Sequence, residues 1–153
     1  MKNKNHSDRG ARAGRPRWMI VDDNEDVLSL MCEIMAHVRD AEIVCFNSPQ
    51  SALAAFEAAP ESFQLVITDF EMPGMNGVEL CHRLRAISPA TIILLMTGSG
   101  MIGEASAAHE GFCGLLRKPF PFETLQRVLE SAGVFGNHKS EGKDIFSAAL
   151  TSA

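Results

Sequence analysis

Leu65-Val66-Ile67-Thr68-Asp69 runs straight into Phe70-Glu71-Met72-Pro73-Gly74-Met75-Asn76-Gly77, and the reading of this junction decides the fold. Leu65-Val66-Ile67 predicts a strand that delivers Asp69 at its end. Met72 to Gly77 is dense in turn formers, so a loop comes next. Val78, Cys81, Leu84 and Ile87 then recur at helical spacing and mark the inner face of a helix. The unit is strand, acidic loop, helix.

On either side of this junction the same unit repeats. Trp18-Met19-Ile20-Val21 is a short continuous apolar run, as expected of a parallel strand covered on both faces, and it ends at Asp22-Asp23. Asn24 caps the next helix, with Glu25 and Asp26 in its first turn and Val27, Leu30, Met31, Ile34, Met35 and Val38 at apolar positions. Ile43-Val44-Cys45-Phe46 predicts a second strand, and Ser48-Pro49 opens an alanine-rich helix that stops before Pro60. Beyond the central junction, Thr91 to Met96 is the most apolar strand, central or near-central, and ends at Thr97. Gly98 to Glu110 is rich in Gly, Ser and Ala, and predicts a weak, mobile helix. Phe112 to Leu116 is a fifth strand, Lys118-Pro119 a turn, and Phe122, Leu125, Val128 and Leu129 the inner face of a last helix. Five such units with short connections imply a three-layer, doubly wound α/β fold around a five-stranded parallel sheet with right-handed crossovers.

In such a sheet the functional end is the carboxyl edge. Asp22 and Asp23 follow strand one, Asp69 strand three, Thr97 strand four and Lys118 strand five, so every unusual polar residue falls at that edge. Singly, each is an ordinary cap, strand end or turn residue. Jointly they form a site. Two carboxylates ~4 Å apart repel by about 4 kcal/mol at an effective dielectric near 20, so three together either hold protons or bind a cation. Oxygen ligands without paired His or Cys favour Mg²⁺, with Mn²⁺ as the substitute. A carboxylate beside such a cation and an ammonium is arranged for phosphoryl transfer through an aspartyl phosphate.

Val21-Asp22-Asp23, Asp69 through Gly77, Thr97-Gly98 and Lys118-Pro119-Phe120, in this order and at strand ends, resemble the receiver domain of bacterial response regulators, over residues 17–133. The resemblance implies the flavodoxin-like strand order 2-1-3-4-5. It implies that Asp69 accepts phosphate from a histidine kinase or a histidine phosphotransfer protein. Asp22, Asp23, Asp69 and the backbone carbonyl of Glu71 would hold the metal, Lys118 would pair with the phosphoryl group, and Thr97 would donate its hydroxyl to it. The ensuing population shift would reshape a protein-binding surface. Glu71 and Ser99 would flank the water's route and tune phosphate lifetime. The family usually carries an aromatic residue three positions before the lysine; this chain has Leu115, with Phe112 and Phe120 off register. Output through the Gly98 to Glu110 segment is therefore expected.

Three other readings compete. Gly98-Ser99-Gly100-Met101-Ile102-Gly103 is a literal G-x-G-x-x-G after a strand, as in dinucleotide-binding enzymes, but it follows the fourth strand, and Glu123, at the right spacing for a ribose, lies within the last helix. An aspartate-nucleophile phosphatase normally needs a second Asp where this chain has Glu71. A pseudo-receiver would lack acidic-pocket or lysine residues, and none is missing. The five histidines share no spacing and are read as surface residues.

Composition sets the remaining expectations. A 153-residue chain that is 46% hydrophobic has room for one domain with a core. No apolar run reaches the roughly 18 residues a membrane span requires, so a cytoplasmic location is expected. Cys32, Cys45, Cys81 and Cys113 are widely spaced in apolar segments and read as buried free thiols. Residues 1–17 hold six Lys or Arg against Asp8 alone, +5, which leaves −10 for the rest of a chain whose total is −5. Residues 1–16 are read as a disordered basic leader. Residues 134–153 are read as a flexible tail in which Ile145, Phe146, Ala149 and Leu150 form at most a short docking helix. No DNA-binding domain is expected in this chain; it would act on a downstream protein target, as a monomer or as a dimer on phosphorylation.

Overall fold

The computed structural model describes residues 14–38 and 40–136. Most of the basic leader and the Ile145 to Leu150 patch lie outside the described residues. The elements in chain order are β1 (Arg17–Val21), α1 (Glu25–Val38), β2 (Glu42–Phe46), α2 (Pro49–Ala58), a 3-10 turn (Pro60–Ser62), β3 (Phe63–Asp69), α3 (Gly77–Ile87), β4 (Ile92–Thr97), α4 (Glu104–His109), β5 (Gly114–Arg117) and α5 (Phe122–Ser131). All strand pairings are parallel, and the sheet order is β2-β1-β3-β4-β5. This is the expected flavodoxin-like topology, with β4 next to the central β3.

The helices start where side chains can satisfy their free N–H groups. Asn24 Oδ1 accepts from the Asp26 and Val27 N–H groups at 3.1 Å. Ser48 Oγ accepts from Ser51 N–H ahead of Pro49. Asn76 and Glu79 form a reciprocal capping box at the start of α3.

Alternation along the strands divides the core in two. Met19, Val21, Val66, Ile93 and Leu95 face Leu53, Phe56, Leu80 and Leu84 of α2 and α3. Trp18, Ile20, Leu65, Ile67, Leu94 and Met96 face Met31, Met35, Leu125 and Leu129 of α1 and α5. The two sheet faces are thus covered by different helices, the three-layer arrangement.

Several expectations shift. Leu30 is 58% exposed while Leu28 is buried, because the inner stripe of α1 runs through Leu28, Met31, Met35 and Val38. Ile87, at the end of α3, is also exposed. Phe112 lies before β5 and packs among Cys81, Ile102 and Ala107 rather than in the strand. The four cysteines are not all buried free thiols: Cys32 and Cys45 form a disulfide between α1 and β2, Cys81 is buried and free, and Cys113 is free and exposed. Sequence separation concealed the pair, because β2 returns antiparallel to α1 and brings the two positions to a Cα separation of 6.6 Å. No described helix is long and apolar enough to cross a membrane.

Where the composition predicted a weak helix, α4 is short. It has six residues, of which Ala107 alone is buried. Its C-terminal end is held from α3: Arg85 Nε and Nη2 donate to the Gly111 carbonyl at 3.0 and 2.7 Å, and His82 Nε2 lies 2.7 Å from Glu110 Oε2, while Arg85 Nη1 donates to the Pro89 and Thr91 carbonyls between α3 and β4.

Candidate functional site

β1, β3, β4 and β5 end on one edge, and each brings a candidate site residue there. Asp22 follows β1 directly; its N–H donates to the Phe46 carbonyl at the end of β2, and its Oδ1 accepts from Asn24 N–H at 2.9 Å. The side chain is thereby turned back into the molecule and is fully buried. Asp69 closes β3 and is 7% exposed. The register Asp69↔Met96 and the bond from Phe70 N–H to the Met96 carbonyl set where β3 ends. Lys118 follows β5, its N–H bonded to the Thr97 carbonyl.

Lys118 Nζ bridges the two buried acids, 2.7 Å from Asp22 Oδ2 and 3.0 Å from Asp69 Oδ1. Asp23 stands beside them, exposed, and carboxylate oxygens of Asp22, Asp23 and Asp69 lie within 4.8 Å of one another. Burial pushes the Asp69 carboxyl above its ordinary pKa and the Asp22 charge adds to this, while the Lys118 hydrogen bond and charge pull it back. For Lys118 burial works to lower the pKa, but the hydrogen bonds to Asp22 and Asp69 outweigh it and the net change is a rise. Three carboxylates against one ammonium leave two negative charges, the complement of a divalent cation, and the all-oxygen donor set suits Mg²⁺.

Thr97 is at the same edge and almost fully buried. Its hydroxyl donates to the Ser99 carbonyl at 3.0 Å and accepts from Ser99 N–H at 3.2 Å, so it is engaged with its own loop rather than with Asp69. Glu71 is exposed on the β3–α3 loop, two residues after Asp69. Leu115 is partly buried and packs on the α2, α3 and α4 side of the sheet. The glycines of the G-x-G-x-x-G stretch lead into the six-residue α4, whose first residue receives no side-chain cap. Sequence reasoning missed the supports: the Phe46 carbonyl that seats Asp22, and Gly77, where a Cβ would collide with the Asp69 backbone carbonyl. The Asn76-x-x-Glu79 spacing was a legible signal for the capping box.

The comparisons with known proteins agree with this geometry. The family model described as "Response regulator receiver domain" matches residues 18–130. A response regulator receiver protein of Anaeromyxobacter sp. (strain Fw109-5) is 35% identical over 115 residues, covering 74% of this chain and 46% of that protein. The chain thus spans less than half the length of that curated relative. Among solved structures, the chemotaxis protein CheY4 of Vibrio cholerae superposes with a TM-score of 0.68 at 26% identity, covering 77% of this chain and 98% of that one. The response regulator TrrA of Thermotoga maritima, solved in complex with Mg²⁺ and BeF, gives 0.67 at 25% identity over 76% and 98% of the two chains. An Asp-Asp pair, a buried aspartate, a threonine and a lysine on one edge of a 2-1-3-4-5 sheet, within a family match that covers most of the chain, place it in the response-regulator receiver domain family of two-component systems.

Proposed function

We propose that Asp69 is the phosphoacceptor of this receiver, taking a phosphoryl group from a phosphohistidine donor, a histidine kinase or histidine phosphotransfer protein. The supporting observation is the bridge from Lys118 to Asp22 and Asp69, which sets a largely buried nucleophilic carboxylate beside a positive charge. An Asp69 carboxylate oxygen attacks phosphorus, the N–P bond of the donor breaks, and its electron pair returns to the imidazole. Lys118 holds the acceptor in line and neutralises a phosphoryl oxygen. Asp22, Asp23, Asp69 and the Glu71 carbonyl would hold Mg²⁺, which when bound neutralises charge on the phosphoryl oxygens.

Thr97 gives the switch. Its hydroxyl is satisfied by Ser99 in the present state, so a phosphoryl oxygen competes for the same donor. Exchange of that bond would draw the β4–α4 loop toward Asp69 and redistribute α4, altering the surface offered to a downstream protein.

The test is intact mass after incubation with Mg²⁺ and acetyl phosphate or a phosphorylated kinase. Wild type should gain one phosphoryl group only when Mg²⁺ is present, and Asp69→Asn should gain none. No gain by a folded wild-type protein from either donor would overturn the reading in favour of a binding module without the chemistry.

A further inference from the structure

We propose that Cys32 and Cys45 form a reversible thiol–disulfide switch that stiffens the backbone seat of Asp22. The pair joins the middle of α1 to β2, the edge strand of the sheet, which pairs with β1 alone. Edge strands open more readily than central ones, since one side has no ladder to break. The Cys45 residue is exposed and Cys32 partly buried, so Cys45 is the sulfur that meets a soluble thiol or disulfide first.

The two residues after Cys45 give the link a consequence. The Phe46 carbonyl accepts the Asp22 N–H at 3.1 Å, and Asn47 Nδ2 donates to Glu25 Oε1 in the first turn of α1 at 3.4 Å. The Cys32–Cys45 bond, the Asn47–Glu25 bond and the Phe46–Asp22 bond therefore enclose the β1–α1 loop, which carries Asp22 and Asp23. Covalent closure removes the motions in which β2 peels from β1 and α1, and these are the motions that break the Asp22 N–H bond.

In the oxidising direction, the Cys45 thiolate attacks a small-molecule disulfide such as oxidised glutathione and expels one thiolate. The Cys32 thiolate then attacks the Cys45 sulfur of the mixed disulfide and expels the second. Two protein thiols are oxidised and one disulfide is reduced to two thiols, so atoms and electrons balance. The effect on phosphotransfer rests on the receiver reading above; the switch itself does not.

The full chain, equilibrated in glutathione buffers of graded ratio and then alkylated under denaturing conditions, should pass from two labelled cysteines to four as the buffer becomes reducing. Amide exchange without Mg²⁺ or phosphodonor should be slower at Asp22 to Asn24 in the oxidised form, and the melting temperature higher by on the order of 5 °C. Cys45→Ser should match the reduced wild type in both. Four labels at every ratio, two labels at every ratio, or equal exchange at Asp22 in the two forms would overturn the proposal. Absence of phosphorylation in both forms would overturn the receiver reading and leave the switch standing.

Discussion

Asp22, Asp69 and Lys118 hold one another in place, and each is unstable there alone. Lys118 keeps a fixed position because two buried carboxylates share it, 2.7 and 3.0 Å away. Removing it leaves those carboxylates facing each other, so Lys118→Met should lower the stability of the metal-free protein at neutral pH by about 3 kcal/mol, read by urea denaturation with Trp18 fluorescence. Because the folded Lys118 pKa is raised, its contribution is complete below the unfolded value of about 10.4 and is lost as pH rises through the folded one. Asp69 has the opposite effect. Its folded pKa is also raised, but for a carboxyl this means that the unfolded chain gives up its proton first. Stability therefore falls as pH rises from about 3.9 through the folded value, and the advantage of Asp69→Asn over wild type, measured without Mg²⁺, should grow across that window. An advantage that did not vary with pH would show that Asp69 is not held at this cost. These residues could be picked out in the sequence by type and by position after each strand. Their burial and the sharing of one ammonium could not, since both depend on strands up to 96 residues apart.

The elements make the site in two ways, by ending strands at the correct place and by approaching them closely. α3 begins against Asp69: Gly77 N–H donates to the Phe70 carbonyl, and a side chain at Gly77 would strike the Asp69 carbonyl and lean on Leu95. Gly77→Ala should therefore displace the end of β3, lowering both the melting temperature and the rate of acetyl phosphate labelling, whereas a change confined to helix propensity would raise stability. α4 depends on its neighbour. With one buried residue in six, it is positioned by the Arg85 guanidinium gathering the Gly111, Pro89 and Thr91 carbonyls. Arg85→Met should cost about 2 kcal/mol, most of it from partly buried carbonyls left without a donor, and should speed amide exchange in α4 more than in α1 or α5. The weakness of α4 was legible in its Gly, Ser and Ala content. Its anchor was not, because a single arginine at the end of an amphipathic helix reads as a solvated charge.

Across the molecule, rigidity is distributed unevenly. β1, β3 and β4 are buried along almost their whole length between two apolar clusters, while the β4–α4 segment has little apolar contact. Amide exchange of the unphosphorylated protein should be slowest in β1, β3 and β4 and fastest across Gly98 to Glu110, and phosphorylation should change it most in that segment. Uniform change across both faces of the sheet would argue against a switch centred on α4. The alternation of apolar runs with helical stripes was enough to specify a parallel α/β sheet, its layer order and the edge at which Asp22, Asp23, Asp69, Thr97 and Lys118 meet, because hydrophobic period and loop chemistry are local properties. Three things were decided by tertiary structure: which face of α1 is inward, at Leu28 rather than Leu30; the joining of Cys32 to Cys45; and the Lys118 bridge. Each depends on how one element packs against another, and those distances arise only when the sheet has been assembled.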